Sequence, residues 1–84
     1  MQVSKELMDV FYANSKTALS NEDYELAQFW SSCESMVNNL HHGKHPSIWT
    51  KELKDILKVW MLKVTDEKLL KAHYEALELI SIVE

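Results

Sequence analysis

The residues of this chain best suited to chemistry are three histidines within five positions, His41, His42 and His45, together with His73 and the single cysteine, Cys33. Imidazole is the commonest neutral ligand for zinc, nickel or copper. Three histidines crowded into one short loop, however, reach a single ion only with a strained backbone. Structural zinc sites instead bring cysteines, or histidines at helical spacing. No metal and no other cofactor is therefore expected, and His41, His42 and His45 read as a polar loop closing a helix, where positive charge suits the helix dipole. Cys33 could serve as a nucleophile if a histidine drew off its proton. It falls between Trp30 and Met36 on an apolar stripe, which is the setting of a small buried side chain. The sequence holds no Ser-His-Asp order, phosphate loop, His-Glu-x-x-His or paired-carboxylate motif, and no enzyme is expected.

The elements that would position these groups follow from two residues. The only glycine, Gly43, and the only proline, Pro46, lie three positions apart. On either side the chain is free of the strongest helix breakers. The first stretch carries an apolar stripe through Met8, Phe11, Tyr12, Ala18 and Leu19, widened by Val3, Leu7 and Val10, with Ser4 as a cap. Ser20 reads as the N-cap of a second helix, with Asn21, Glu22 and Asp23 in its first turn. Leu26, Phe29, Trp30, Cys33, Met36, Val37 and Leu40 then recur at spacings of three, one, three, three, one and three, a helical stripe. Beyond the loop, Pro46 or Ser47 opens a third helix on Trp49, Leu53, Ile56, Leu57, Trp60, Met61 and Val64. Thr65 reads as the cap of a fourth, with Leu69, Ala72, His73, Ala76, Ile80 and Val83 on one stripe and Leu70, Tyr74 and Leu77 on a second.

The fold expected is all-α: a single compact four-helix domain, residues 1–84, built from two antiparallel αα-hairpins (4–40 and 47–83) joined by the loop 41–46. The halves align at an offset of 45 residues, Ser20 on Thr65 and Phe11 on Ile56 among other pairs. Two amphipathic hairpins with similar caps align in this way without any duplication, and that is the reading adopted.

Eighty-four residues with 46 % hydrophobic content suit one small globular domain. A lone cysteine precludes an internal disulfide. The opening residues are polar, and no apolar run approaches the length of a membrane span. The expected location is the cytoplasm. The formal charge of −4 is uneven: residues 1–40 set Lys5 and Lys16 against six acids, whereas residues 41–84 balance seven lysines against seven acids. Not one cation is an arginine, the residue that usually forks onto phosphates and guanine edges, so nucleic acid is not the expected partner.

Surfaces remain. Trp30 and Trp60 sit on strong stripes and are expected in the core. Trp49, beside the loop, is a candidate partly exposed anchor of the kind favoured at protein interfaces. The fourth helix is apolar over a wider arc than one packing face needs, which leaves Leu70, Tyr74, Leu77, Leu79 and Ile82 as candidate association residues. Lys51, Lys54 and Lys58 share a face of the third helix. Together these features point to a small non-catalytic protein-interaction module (an adaptor, inhibitor or regulatory subunit) that self-associates through its last helix, as a homodimer in the simplest case. The alternatives are a nucleic-acid-binding regulator using Lys51, Lys54 and Lys58, or an immunity-type helical bundle at a membrane surface.

Overall fold

A computed structural model describes residues 2–83; the two ends of the expected domain, Met1 and Glu84, lie outside them. Four helices follow one another: α1 (Val3–Ser20), α2 (Tyr24–Leu40), α3 (Pro46–Met61) and α4 (Glu67–Val83). There are no strands among the described residues. The all-α architecture of two hairpins and one Gly–Pro loop is thus observed.

The α1–α2 turn is tighter than its sequence suggests, and its chemistry differs from expectation. Ser20 is the last residue of α1, not the cap of α2. Asn21 ends α1, Glu22 takes the left-handed conformation at φ 58°, and two crossed bonds close the turn. The Glu22 N–H donates to Leu19 O at 3.0 Å and the Asp23 N–H to Ala18 O at 2.9 Å. This is the Schellman arrangement, with glutamate where glycine is usual. Asp23 then serves as N-cap of α2, its carboxylate accepting the Leu26 N–H at 3.2 Å. One residue thus satisfies orphan groups at both helix ends. The second hairpin repeats the cap but not the turn. Asp66, not Thr65, accepts the Leu69 N–H at 2.9 Å, and α3 unwinds through bonds from Lys63 to Trp60 O and from Val64 to Met61 O.

Between the hairpins, His41 ends α2 and Gly43 turns the chain at φ 67°, a conformation that side chains resist. His45 caps α3, with Pro46 in its first turn, where a missing N–H costs nothing.

The core joins Leu7 and Phe11 of α1, Phe29, Trp30, Cys33 and Val37 of α2, Trp49, Leu53 and Leu57 of α3, and Ala72, Ala76 and Ile80 of α4. The expected stripe of α1 is rotated. Its buried face runs Ser4, Leu7, Phe11, Ala18, and Tyr12 and Leu19 turn to solvent. The offset of 45 does not survive either. Phe29, Trp30, Cys33 and Val37 match the buried Ala72, His73, Ala76 and Ile80 at 43, as do Asp23 and Asp66, whereas Ser4, Leu7 and Phe11 match Thr50, Leu53 and Leu57 at 46. No single register relates the halves, as expected of two hairpins that share only helical period and acidic caps.

Candidate functional site

The three loop histidines do not converge. His45 is occupied as a cap, its Nδ1 accepting the Ser47 N–H at 3.2 Å and lying 2.8 Å from the Ser47 hydroxyl. His41 and His42 stack on each other with ring centroids 4.2 Å apart. Among the described residues no group of three His, Cys, Asp or Glu side chains is arranged to hold a metal ion. Cys33 is fully buried, and burial pushes its thiol from 9.0 up to about 12. A thiol held neutral in this way is a packing residue rather than a nucleophile.

The interaction candidates separate. Trp49 is only 2 % exposed and belongs to the core beneath the loop, so it is no surface anchor. Leu79 packs against the core on the same side of α4 as Glu75, which faces Asn14, Thr17 and Ala18 of α1. Leu77 also packs in part against the core; Leu70 and Leu77 are part-buried and Tyr74 is 59 % exposed, and at spacings of four and three they form one stripe. Ile82, 74 % exposed, lies about 140° around the helix from Leu77 and does not belong to that stripe. Lys51 and Lys58 are exposed and Lys54 part-buried on one face of α3. Glu52 interrupts the surrounding basic surface by pairing with Lys44 at 2.9 Å.

Trp60, expected in the core, is instead part-buried and lines the most coherent surface feature. Two adjoining recesses of about 300 and 420 Å³ share Gln28, Ser32 and Trp60, forming a groove along α2. Phe29, Val64, Leu69 and His73 complete one end, with Ser31, Ser35 and Met36 at the other. The lining follows from the sequence of α2. Gln28, Ser31, Ser32 and Ser35 recur on its outer side at helical spacing, where a surface helix ordinarily carries lysine and glutamate. Of the lining residues only Glu25, at the rim, is a formal charge.

At the floor, His73 is 3 % exposed and held from both sides. Its ring lies 4.2 Å from that of Phe29 and 6.4 Å from that of Trp60, the latter edge-on at 82°. Nδ1 lies 2.8 Å from Leu69 O. A carbonyl oxygen only accepts, so Nδ1 carries a proton and donates to it. Beyond the rim, Lys68 pairs with Asp23 between the caps of α2 and α4. That hydrogen bond, with the one from Leu26 N–H, holds the Asp23 carboxyl below its ordinary value, and Asp23 in turn raises Lys68.

Sequence reasoning missed Gln28, Ser32, Ser35, Trp60 and His73 as a set. The neutral outer face of α2 was the available signal. No protein family, curated protein or solved structure matches the chain. No helix among the described residues is long and apolar enough to cross a membrane.

Proposed function

We propose that this chain is a small non-catalytic protein-interaction module that meets a partner across the α2 groove and pairs with its own kind along α4. One observation carries the reading: a groove lined by Phe29, Met36 and Trp60 with no formal charge inside its rim. Depletion of charge, with enrichment in aromatic residues and methionine, distinguishes the centre of protein interfaces from ordinary surface. A partly exposed tryptophan is the commonest type of anchor there.

The groove also constrains what it takes. A charged group seated at its centre would lie desolvated and unpaired. The partner segment therefore presents an apolar side chain to Trp60 and Met36, an uncharged hydrogen-bonding group near Gln28 and Ser32 and, if it is cationic anywhere, its cation at Glu25. The inert Cys33 supports the non-catalytic half of the reading.

The test compares immobilised wild-type chain with the Ser32→Arg and Trp60→Ala variants against native lysate. Proteins retained by the wild type and lost on both variants, with the fold of each variant intact by circular dichroism, are the expected result. Equal retention on all three surfaces would overturn the groove as the contact.

A further inference from the structure

Resting on that reading of α4 as a self-association surface, we propose that the partner along α4 is a second copy running antiparallel, with Lys71 of each copy paired to Glu78 of the other. The stripe Leu70, Tyr74, Leu77, Ser81 is spaced four, three, four. Those are the alternating core positions of a two-stranded coiled coil, in which flanking charges select the partner and its direction. Tyr74 and Ser81 are exposed, and Leu70 and Leu77 retain part of their surface.

The charges beside the stripe decide the direction. On its solvent side lie Lys71 and Glu78, seven residues apart and so on the same line of the helix. Both are exposed, and among the described residues neither forms an ion pair within its own chain. The positions on the inner side are His73 and Ile80, both buried in the chain's own core. In a parallel pair each outer position faces an inner one across the seam, so Lys71 and Glu78 would face groups already buried. In an antiparallel pair outer faces outer. Tyr74 then packs on Leu77 of the second copy, Leu70 on Ser81 of the second copy, and Lys71 meets Glu78 of the second copy twice by symmetry. The arrangement is isologous and closed, as expected of a homodimer, and it sets the two helix dipoles in opposition. Ile82 stays outside the seam. The α2 groove is formed by other residues, so occupying one surface leaves the other's lining intact.

The experiment is sedimentation equilibrium of the purified chain with Tyr74→Glu, Lys71→Glu, Glu78→Lys and the double exchange Lys71→Glu with Glu78→Lys. The wild type is expected to dimerise. Each single change is expected to weaken association about tenfold or more, since it sets like charges together or buries a carboxylate, and the double exchange to return it to near the wild-type value. All three substituted positions are exposed, and far-UV circular dichroism checks that each of the four variants keeps its helices. A wild type that remains monomeric at high concentration overturns self-association itself. A dimer indifferent to Tyr74→Glu, or one not restored by the double exchange, overturns the antiparallel α4 seam while leaving self-association standing.

Discussion

The two hairpins share a helix count, an acidic cap and a Trp-bearing stripe, yet they are packed differently. α1 and α2 lie against each other along most of their length, the most extensive helix pairing in the molecule. Phe11 and Phe29 flank Trp30 there, at centroid distances of 5.7 and 5.0 Å, within the range of favourable aromatic pairs. α3 and α4 touch over a far shorter stretch, and each spends part of its apolar surface on the first hairpin. The connections match. A closed three-residue turn sets α2 back along α1, whereas 62–66 lets α3 and α4 diverge. The consequence is functional: the tightly paired hairpin supplies the frame, and the looser one leaves Trp60 and the Tyr74 stripe accessible. A small domain with this distribution leaves apolar surface open where its internal packing is least complete.

The sharpest way to break this comparison is to truncate one tryptophan in each hairpin. Trp30→Ala is expected to cost about 3–5 kcal/mol in urea unfolding, enough to threaten the fold, because a cavity opens in a closed core. Trp60→Ala is expected to cost roughly 1–2 kcal/mol, since the groove already exposes part of the ring to water. Equal losses would show the second hairpin to be as tightly closed as the first.

Cys33 reports on the same frame without changing its shape. Iodoacetamide at neutral pH is expected to label the native chain on the order of a hundredfold more slowly than the urea-unfolded chain, and prompt native labelling would contradict a closed α1–α2 core. The folded thiol is raised from 9.0 to about 12. Its neutral burial therefore contributes stability fully below pH 9.0, and that contribution fades as pH climbs through about 12. A Cys33→Ala variant should lose less stability on passing through that window.

Smaller effects sharpen the contrast between the turns. Glu22 stands in the left-handed conformation that glycine adopts without strain. Glu22→Gly is expected to stabilise the first hairpin by up to about 1 kcal/mol, and Gly43→Ala to destabilise the interhairpin loop by about 1 kcal/mol, both by urea midpoint. A Glu22→Gly variant less stable than wild type would mean that the turn is not the Schellman closure. The least effect is expected from Leu62→Lys at the end of α3. This side chain is 84 % exposed, so its replacement should change stability by less than about 0.5 kcal/mol; a larger loss would place it against a packed surface.

Much of the fold was legible because helices are written in local spacing. Gly43 and Pro46 marked the loop between the hairpins, and the stripes of α2 and α4 put Phe29, Trp30, Cys33, Val37, Ala72, His73, Ala76 and Ile80 in the core, whereas of the α3 stripe only Trp49, Leu53 and Leu57 are buried. The caps were misplaced for a local reason as well. Ser20 and Thr65 have cap chemistry, but Asp23 and Asp66 lie nearer the residues whose N–H groups need an acceptor, and a non-glycine residue in the Schellman turn gave no warning of it. The site was far less legible. Trp49 and Trp60 stand eleven residues apart, about three turns, on the same face of the same helix, and no periodicity separates them. Their burial depends on where along α3 the other helices cover it.

What the sequence determined by itself is therefore the number and order of the helices and the inward faces of α2 and α4, because period and breakers act within a turn or two of the chain. What only the tertiary structure decided is which of those faces ran out of partners. Trp49 meets the core beneath the loop, while Trp60 overhangs a neutral flank of α2. That difference is set by how two hairpins settle against each other, a packing of distant surfaces that no local spacing records.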